Sequence, residues 1–227
     1  AIINRKPLRV DFRIQAPVQT DISAKVVSGS VEASGFEGQL EFGSVSGSLA
    51  LADLSGSLDL DSISGSIKGQ RLQGEAHLSV VSGQIDLREC DFLTLKSRAV
   101  SGKTQVQTRV SQGPYTLDSV SGSLLLVVPQ DSHCNVQASA VSGRFYTDLG
   151  VSQSSVSPRH WNVTIGQGGP EVKLKAVSGK MRLLSSFDAQ GSVPSEVHQS
   201  RSERKDVLSR LRDGEISVED ALKELAP

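Results

Sequence analysis

Residues 45–65 read VSGSLALADLSGSLDLDSISG, and this stretch decides the fold because it repeats within itself. Val45-Ser46-Gly47 returns 18 residues later as Ile63-Ser64-Gly65. Along the chain, the Val/Ile-Ser-Gly triplet places glycine at positions 29, 47, 65, 83, 102, 122, 143 and 179. Weaker copies such as Leu54-Ser55-Gly56 lie midway between the first triplets. The repeating unit is therefore nine residues long, and the units come in pairs.

Apolar side chains fall at fixed places in this unit. If glycine is position 8, then positions 1, 3 and 6 are almost always apolar, and Leu58, Leu60 and Ile63 are one such set. Positions 1 and 3 share one face of a strand because side chains alternate. Position 6 is predicted to turn inward again after a bend, with glycine forming a tight corner. This register predicts that four residues are buried: Leu60, Ile63, Leu78 and Val81.

A single unit cannot bury its own apolar face, whereas stacked units can. We therefore predict an all-β protein, a β-solenoid in the form of a flattened β-helix with about 18 residues per coil and about nine coils. The Gly-Gly-x-Gly-x-Asp pattern of calcium-binding rolls does not occur. The apolar period of nine argues against a hexapeptide helix, and the missing Asn and shorter unit argue against a leucine-rich repeat. The predicted domains are the solenoid at 1–185, a linker at 186–201 and a helical hairpin at 202–227.

The predicted hairpin carries an apolar face with nothing to cover it. That face consists of Val207, Leu208, Leu211, Leu222 and Leu225. Units below roughly 40 residues seldom fold alone, so the hairpin is expected to dock or to make the protein a homo-oligomer. Leu125 and Val127 should point outward from the solenoid, and we predict that the hairpin covers them, in the same chain or in a dimer mate. The alternative is that the hairpin caps the last coil near Met181 and Leu183.

Composition narrows the function classes. The net charge of -1 and the pI of about 6.5 argue against a nucleic-acid partner. No apolar run is long enough for a transmembrane segment. The first residues lack a signal-peptide pattern, which slightly favours the cytoplasm, with the cell envelope as the alternative. No motif calls for a cofactor.

The register brings charged side chains together on one outward face. Positions 2 and 4 of alternate units stack Glu41, Asp59, Asp61 and His77 along neighbouring columns. These groups could bind a metal or a glycan, but one histidine beside stacked carboxylates is a poor metal set. The preferred interpretation is a structural charge ladder, with no metal site and no catalytic residue.

Two further features stand outside the repeat. Arg159 and Trp161 lie in an irregular coil at 146–162, where an exposed Trp would suit a glycan or protein partner, although a Trp that fills the defect is preferred. Cys90 falls at an inward position, and Cys134 is placed about two coils away. That separation exceeds the reach of a disulfide, so two free thiols are predicted.

The repeated VSGS and the closing TIGQGGPEVKLKAVSGKMRLL at 164–184 resemble a bacterial family of β-strand-repeat domains of unknown function that carries the label adhesin. Members recur in cell-envelope proteins, and some are linked to envelope-stress and antimicrobial-peptide responses. The tail RLRDGEISVEDALKEL is similar to short helical modules for which an oligomerisation role is proposed. The resemblance implies an envelope-linked protein and does not by itself imply adhesion.

These observations favour a non-enzymatic scaffold for binding or assembly. Two alternatives stay open. Many β-solenoids are polysaccharide lyases or hydrolases, so a glycan-active enzyme is the first alternative. Stacked coils can also extend end to end, so a self-polymerising scaffold is the second.

Overall fold

The computed structural model describes residues 11–186, and its regular structure there is entirely β. The nine strands are β1 (Ile22–Ser34), β2 (Glu37–Ala52), β3 (Ser55–Gln70), β4 (Gln73–Thr108), β5 (Tyr115–Pro129), β6 (Cys134–Thr147), β7 (Val151–Ser157), β8 (His160–Ile165) and β9 (Glu171–Ser186). They form one sheet in the order β1-β2-β3-β4-β5-β9-β6-β8-β7. The all-β prediction is confirmed over these residues. The predicted hairpin at 202–227 lies outside them.

Parallel pairing follows the sequence repeat. Leu40 of β2 lies opposite Leu58 of β3, and Gly47 lies opposite Gly65, so each pass of the chain stacks 18 residues above the last. We call each parallel pass a rung. β4, with 36 residues, supplies two rungs. The described residues therefore contain eight rungs in the spatial order β1, β2, β3, the two halves of β4, β5, β9 and β6.

The core lies where the register predicts it for positions 1 and 3. Leu58, Leu60 and Leu78 have at most 1% of their surface exposed. The same columns continue through Leu117, Leu174 and Val172 farther along the stack. Burying one such side chain contributes roughly 1.5–3 kcal/mol, and the repeat multiplies that contribution at every rung.

Position 6 does not behave uniformly, and half of that prediction is wrong. Ile63 and Val81, predicted to be buried, are 52% and 47% exposed. In the Val/Ile-Ser-Gly units the strand alternation continues to position 5, so Ser62 and Val80 are buried instead. The side chain at position 6 must then point outward.

In the intervening units the corner is different. Position 5 is held by Gly35, Asp53, Arg71 and Glu89, all with left-handed backbone (φ between 53° and 75°). This left-handed residue turns the chain, and position 6 then points inward, as at Leu54 and Leu72, both 0% exposed. The two corners of the coil are thus built by different backbone conformations.

The glycines of the triplets stack directly on one another. A Cβ at Gly65 would overlap the carbonyl oxygen of Gly47 in the rung below, and Gly83 and Gly102 meet the same obstacle one rung farther on. Glycine is therefore needed here for close approach between rungs as well as for the corner.

The order of the last rungs differs from the order of the chain. β9 lies between β5 and β6, with Gly179 stacked on Gly122 and opposite Gly143. The irregular coil predicted at 146–162 does not form, because residues 151–157 and 160–165 are the antiparallel strands β7 and β8. The described residues therefore form eight parallel rungs where about nine coils were predicted.

A short turn holds β9 in that place. The turn at 166–170, which follows β8, receives the Asn135 side-chain amide at the Gly169 carbonyl (3.0 Å). The Gln167 backbone N–H donates to His133 Nδ1 (3.1 Å). These bonds fix the point at which the chain enters the sheet between its two neighbours.

Candidate functional site

The predicted charged columns form as the register requires. Ser23, Glu41, Asp59 and His77 lie opposite one another in successive rungs, and Lys25, Gly43, Asp61 and Ser79 form the neighbouring column. β1 to β4 thus place the four proposed ligand residues on one outward surface.

Glu41 is already engaged within this surface. Lys25 Nζ forms an ion pair with its carboxylate, and Ser23 Oγ donates a hydrogen bond to Oε2 (2.8 Å). The hydrogen bond from Lys25 is the main reason that the pKa of Glu41 lies below its usual value. The same pair raises the pKa of Lys25. The carboxylate of Glu41 is therefore better explained as a member of the structural charge ladder than as a group that binds a ligand.

Asp61 behaves differently from Glu41. Partial burial raises its pKa, and the negative charge of Asp59 beside it adds to the rise, while His77 and Lys25 oppose it. Within residues 11–186, His77 forms no ion pair with either aspartate. The four residues lie on one surface but do not converge on one point. No group of three or more His, Cys, Asp or Glu in the described chain could hold a metal ion.

A second ionic chain, which the sequence did not reveal, runs along the left-handed corners. Arg71 binds Asp53 through Nε–Oδ1 (2.6 Å) and Nη2–Oδ2 (2.8 Å) and approaches Glu89 at 3.8 Å. Position 5 of alternate units was the available signal, because Asp53, Arg71 and Glu89 share it. These contacts tie neighbouring corners together, with Arg71 placed between the two carboxylates.

The outward surface near these corners contains a groove of about 1220 Å³. Segment 12–16 lines one part of it, and residues of β1 to β4 together with Gly35 and Phe36 line the rest. Ala50 and Ala52 are small side chains in its lining, while Lys68, Asp86 and Arg88 make it mixed in charge. Arg88 and Asp86 pair with each other (2.9 Å), and the other charged residues that line the groove, Arg13, Glu32, Lys68 and Glu89, are of both signs.

Trp161 lies in an antiparallel strand, so there is no irregular coil for it to fill. It is half-buried in β8 and contacts Phe145, with ring centroids 6.4 Å apart at 43°. Arg159 lies in the exposed turn before β8, where its carbonyl accepts a hydrogen bond from the Ala140 backbone (3.0 Å). The indole therefore packs on its own sheet rather than standing free as a platform for a ligand.

The outward residues at position 6 form a regular apolar feature along the surface of the described residues. They are Val27, Val45, Ile63, Val81, Val100, Val120, Val177 and Val141 in spatial order, and each is 42–74% exposed. We call this set the aliphatic ridge. The serines that follow them are paired rung to rung, as Ser46 with Ser64, so the ridge is continuous. At about 4.8 Å per rung it is about 34 Å long.

Leu125 and Val127, the predicted docking residues, are half-buried. In the ladder, Leu125 lies between Gln105 and Arg182, and Val127 lies between Gln107 and Leu184. Neighbouring columns thus flank both side chains. The hairpin residues expected to cover them lie outside the described part of the chain, so the docking stays a prediction.

Both cysteines are free and buried. Burial raises the pKa of Cys90 to about 12 and that of Cys134 to about 11. β5 and β9 lie between the strands that carry them, so they are farther apart in the stack than the predicted two coils. Among residues 11–186 no helix is long and apolar enough to span a membrane.

The family profile described as Toastrack DUF4097 matches residues 10–184. The chain therefore belongs to this family, a β-strand-repeat domain of unknown function with a β-solenoid-like fold. The match ends before the predicted hairpin and carries no adhesin label. No curated protein and no protein of solved structure gives a significant match to the chain.

Proposed function

We propose that this Toastrack domain is a non-enzymatic scaffold for binding or assembly, and that the aliphatic ridge is its binding surface. Eight exposed aliphatic side chains, one on every rung, carry the proposal. Single exposed apolar residues are ordinary, but a contiguous apolar patch on a soluble surface marks an interaction site. The ridge has no polar interruption at its own position in any of the eight rungs.

The ridge is also suited to binding because it is rigid. β-Branched side chains have few rotamers to lose, and each one precedes a Ser-Gly pair locked into the glycine stack. A partner that covers the ridge therefore pays little in conformational entropy. This property favours a permanent binding surface over one that forms only on contact.

We place the scaffold in a bacterium, linked to the cell envelope or to its stress response. The support is the resemblance of the VSGS repeats and of residues 164–184 to repeat domains of envelope proteins. The tail at 202–227 is proposed as a second assembly element that makes the protein a homo-oligomer.

A glycan-active enzyme is the weaker proposal. Such enzymes place two carboxyl groups on either side of the scissile bond. Asp59 and Asp61 instead lie on neighbouring columns of one exposed rung, and Glu41 is held by Lys25 and Ser23. The raised pKa of Asp61 is the one feature that favours acid catalysis.

End-to-end polymerisation has one favourable observation. The inward residues Ile22, Ala24 and Val31 of β1 are only half-buried, so the first rung offers a surface for another rung. At the other end of the sheet, β8 pairs in antiparallel fashion with residues 134–139 of β6, so that half of the last rung offers no parallel edge. A head-to-tail fibre that continues the parallel stack would need that edge.

The test compares partner capture by three proteins: the wild type, Val81→Glu on the ridge and Val156→Glu on β7. Val81 and Val156 are both exposed valines, 47% and 64%, so the β7 variant controls for added charge. We expect the wild type and Val156→Glu to capture a partner, which could be a second copy of the chain. Val81→Glu should capture none. Light scattering with and without residues 202–227 tests the tail as an assembly element. Turnover of a polysaccharide that disappears in Asp61→Asn would overturn the scaffold proposal.

A further inference from the structure

We propose that the partner of the aliphatic ridge is a second copy of this chain, packed ridge to ridge in an antiparallel dimer. This inference rests on the proposed scaffold function and names its partner. A two-fold axis across the middle of the ridge, between Val81 and Val100, would place the first rung of one copy opposite the last rung of the other.

Rung spacing is the first argument. The side chains of the ridge repeat at about 4.8 Å, because the spacing is set by backbone hydrogen bonds between rungs. A helical partner repeats at 5.4 Å per turn and would be half a rung out of step after about four turns. A second copy repeats at the same spacing, so its aliphatic side chains can interdigitate along all eight rungs.

Buried area is the second argument. One fully exposed aliphatic side chain offers roughly 100 Å² of apolar surface. Eight side chains that are about half exposed therefore offer on the order of 400 Å² per copy. A stable interface buries about 800 Å² per partner. The exposed serines beside the ridge, such as Ser46 and Ser64, add to the area, so the ridge suits a dimer of modest affinity.

Charges that flank the ridge decide its orientation. In a parallel dimer, the column before the ridge would face the column after it at the same rung. Arg98 would then face Lys103 of the second copy, and Lys175 would face Lys180. In the antiparallel arrangement, Arg98 faces Ser79, and the other three cations also face uncharged residues. Like-charge opposition disfavours the parallel form.

The antiparallel arrangement leaves one like-charged pair, because Asp61 faces Asp118 of the second copy. A slip of one rung brings Asp61 opposite Arg98 but places Lys25 opposite Lys175, so either register leaves one like-charged pair, against two in the parallel form. Such a slip keeps seven rungs in contact, so the proposal is insensitive to it.

Sedimentation equilibrium of the full chain tests the association. The double variant Val81→Thr/Val100→Thr keeps β-branched side chains, which protects the fold, but adds hydroxyl groups at the centre of the ridge. We expect at least about a tenfold weaker dimer. The matched control is Val151→Thr/Val156→Thr, two valines of similar exposure on β7, which should leave the dimer unchanged. Equal circular dichroism spectra and melting temperatures establish that both variants are folded.

Cross-linking tests the orientation. Val27→Cys and Val141→Cys lie at opposite ends of the ridge, and the native Cys90 and Cys134 are buried and unreactive as thiols. A bismaleimide of about 10 Å spans a slip of two rungs. Antiparallel packing predicts cross-linked dimers in a mixture of the two variants and none with either variant alone. Cross-links within each single variant would overturn the antiparallel dimer.

The remaining outcomes separate this inference from the proposed function. A dimer that survives in Val81→Thr/Val100→Thr overturns the homotypic ridge. A monomeric wild type that binds another protein through the ridge also overturns it, yet leaves the scaffold proposal standing. A monomer that captures no partner through the ridge defeats both.

Discussion

Arg71 binds Asp53 across one rung through two hydrogen bonds, of 2.6 and 2.8 Å, and both residues have left-handed backbone, with φ of 53° and 54°. The coil therefore places L-residues where glycine is normally preferred. Left-handed backbone costs an L-residue about 1–2 kcal/mol. At Gly35, the equivalent corner of the first rung, glycine carries no such cost.

Replacing Arg71 by alanine and by glycine should separate strain from ion pairing. Both variants lose the contacts with Asp53, but only glycine relieves the left-handed backbone. We expect Arg71→Gly to be more stable than Arg71→Ala by about 1 kcal/mol in urea unfolding. Arg88 is the control, since it is also ion-paired but lies within β4 and is not among the residues with positive φ. At that position Arg88→Gly should be less stable than Arg88→Ala by about 0.5–1 kcal/mol. The same order of stability at both positions would contradict the corner geometry.

Substitution in the glycine stack should be severe. In Gly65→Ala the added Cβ would overlap the backbone of Gly47, which cannot move without separating the rungs. We expect a loss of about 3 kcal/mol or more in thermal or urea unfolding. Gly150→Ala is the control, because nothing lies within 4 Å of its Cβ, and its stability should stay within about 0.5 kcal/mol of wild type. A well-folded Gly65→Ala protein with an unchanged melting temperature would argue against direct stacking.

Leu60 and Ile63 should respond in opposite ways to the same substitution. Leu60 is fully buried, so Leu60→Asp places an unpaired charge in an apolar interior and should unfold the domain. Ile63 is 52% exposed on the ridge, and Ile63→Asp should leave the domain folded. Circular dichroism and protease resistance measure both. Unfolding by Ile63→Asp would mean that position 6 points inward after all.

The pH dependence of stability should carry opposite contributions from Asp61 and Glu41. Asp61 has a raised pKa in the folded state, so the folded protein holds this proton more tightly and stability falls as pH rises through that pKa. Asp61→Asn should therefore be slightly more stable than wild type at pH 7, by less than about 1 kcal/mol because solvent screens the site. The advantage should vanish below pH 3. Glu41 has a lowered pKa, so Glu41→Gln should reduce stability at pH 7. Urea midpoints across this range supply the test, and a destabilised Asp61→Asn would reverse the assignment.

Neither thiol should react with a thiol reagent in the folded protein. At pH 8 the pKa values of about 12 and about 11 leave little thiolate at Cys90 and Cys134, and burial blocks access. A colorimetric thiol reagent should report no reaction with native protein and two thiols after unfolding. Rapid labelling of the native protein would contradict the inward position of Cys90.

The sequence alone was sufficient for the rung register and the charged columns. Because each repeat aligns glycine with glycine, it also aligns Glu41 with Asp59 and Asp59 with His77. The direction of position 6 was not accessible in the same way. The inward residue at position 5 is often serine, as at Ser44 and Ser62, whose hydroxyls are buried without a hydrogen-bond partner. The pattern of polar and apolar residues therefore favoured burial of the apolar side chain at position 6 instead of the serine at position 5.

The order of the last rungs was also hidden from the sequence. Every rung presents the same Ser-Gly corner, so Gly179 can stack on Gly122 as well as on Gly143. The spacing of 36 residues between the last two triplets is twice the repeat of 18, which was consistent with one additional coil of irregular sequence. Antiparallel pairing of Val156 with Trp161 and the anchored turn at 166–170 depend on contacts distant in sequence.

The position of β9 between β5 and β6 has a consequence for synthesis on the ribosome. Chains emerge N-terminus first, so β6 is made before the strand that separates it from β5. Until residue 186 has emerged, β5 exposes an unpaired edge, and the Gly143 corner of β6 fits that edge as well as the Gly179 corner does. A nascent chain that pairs β6 directly with β5 must dissociate before β9 can enter. The stack therefore cannot be completed until β9 pairs with β5. Paired residues of these two strands are 57 positions apart in the sequence, so this step is a long-range closure.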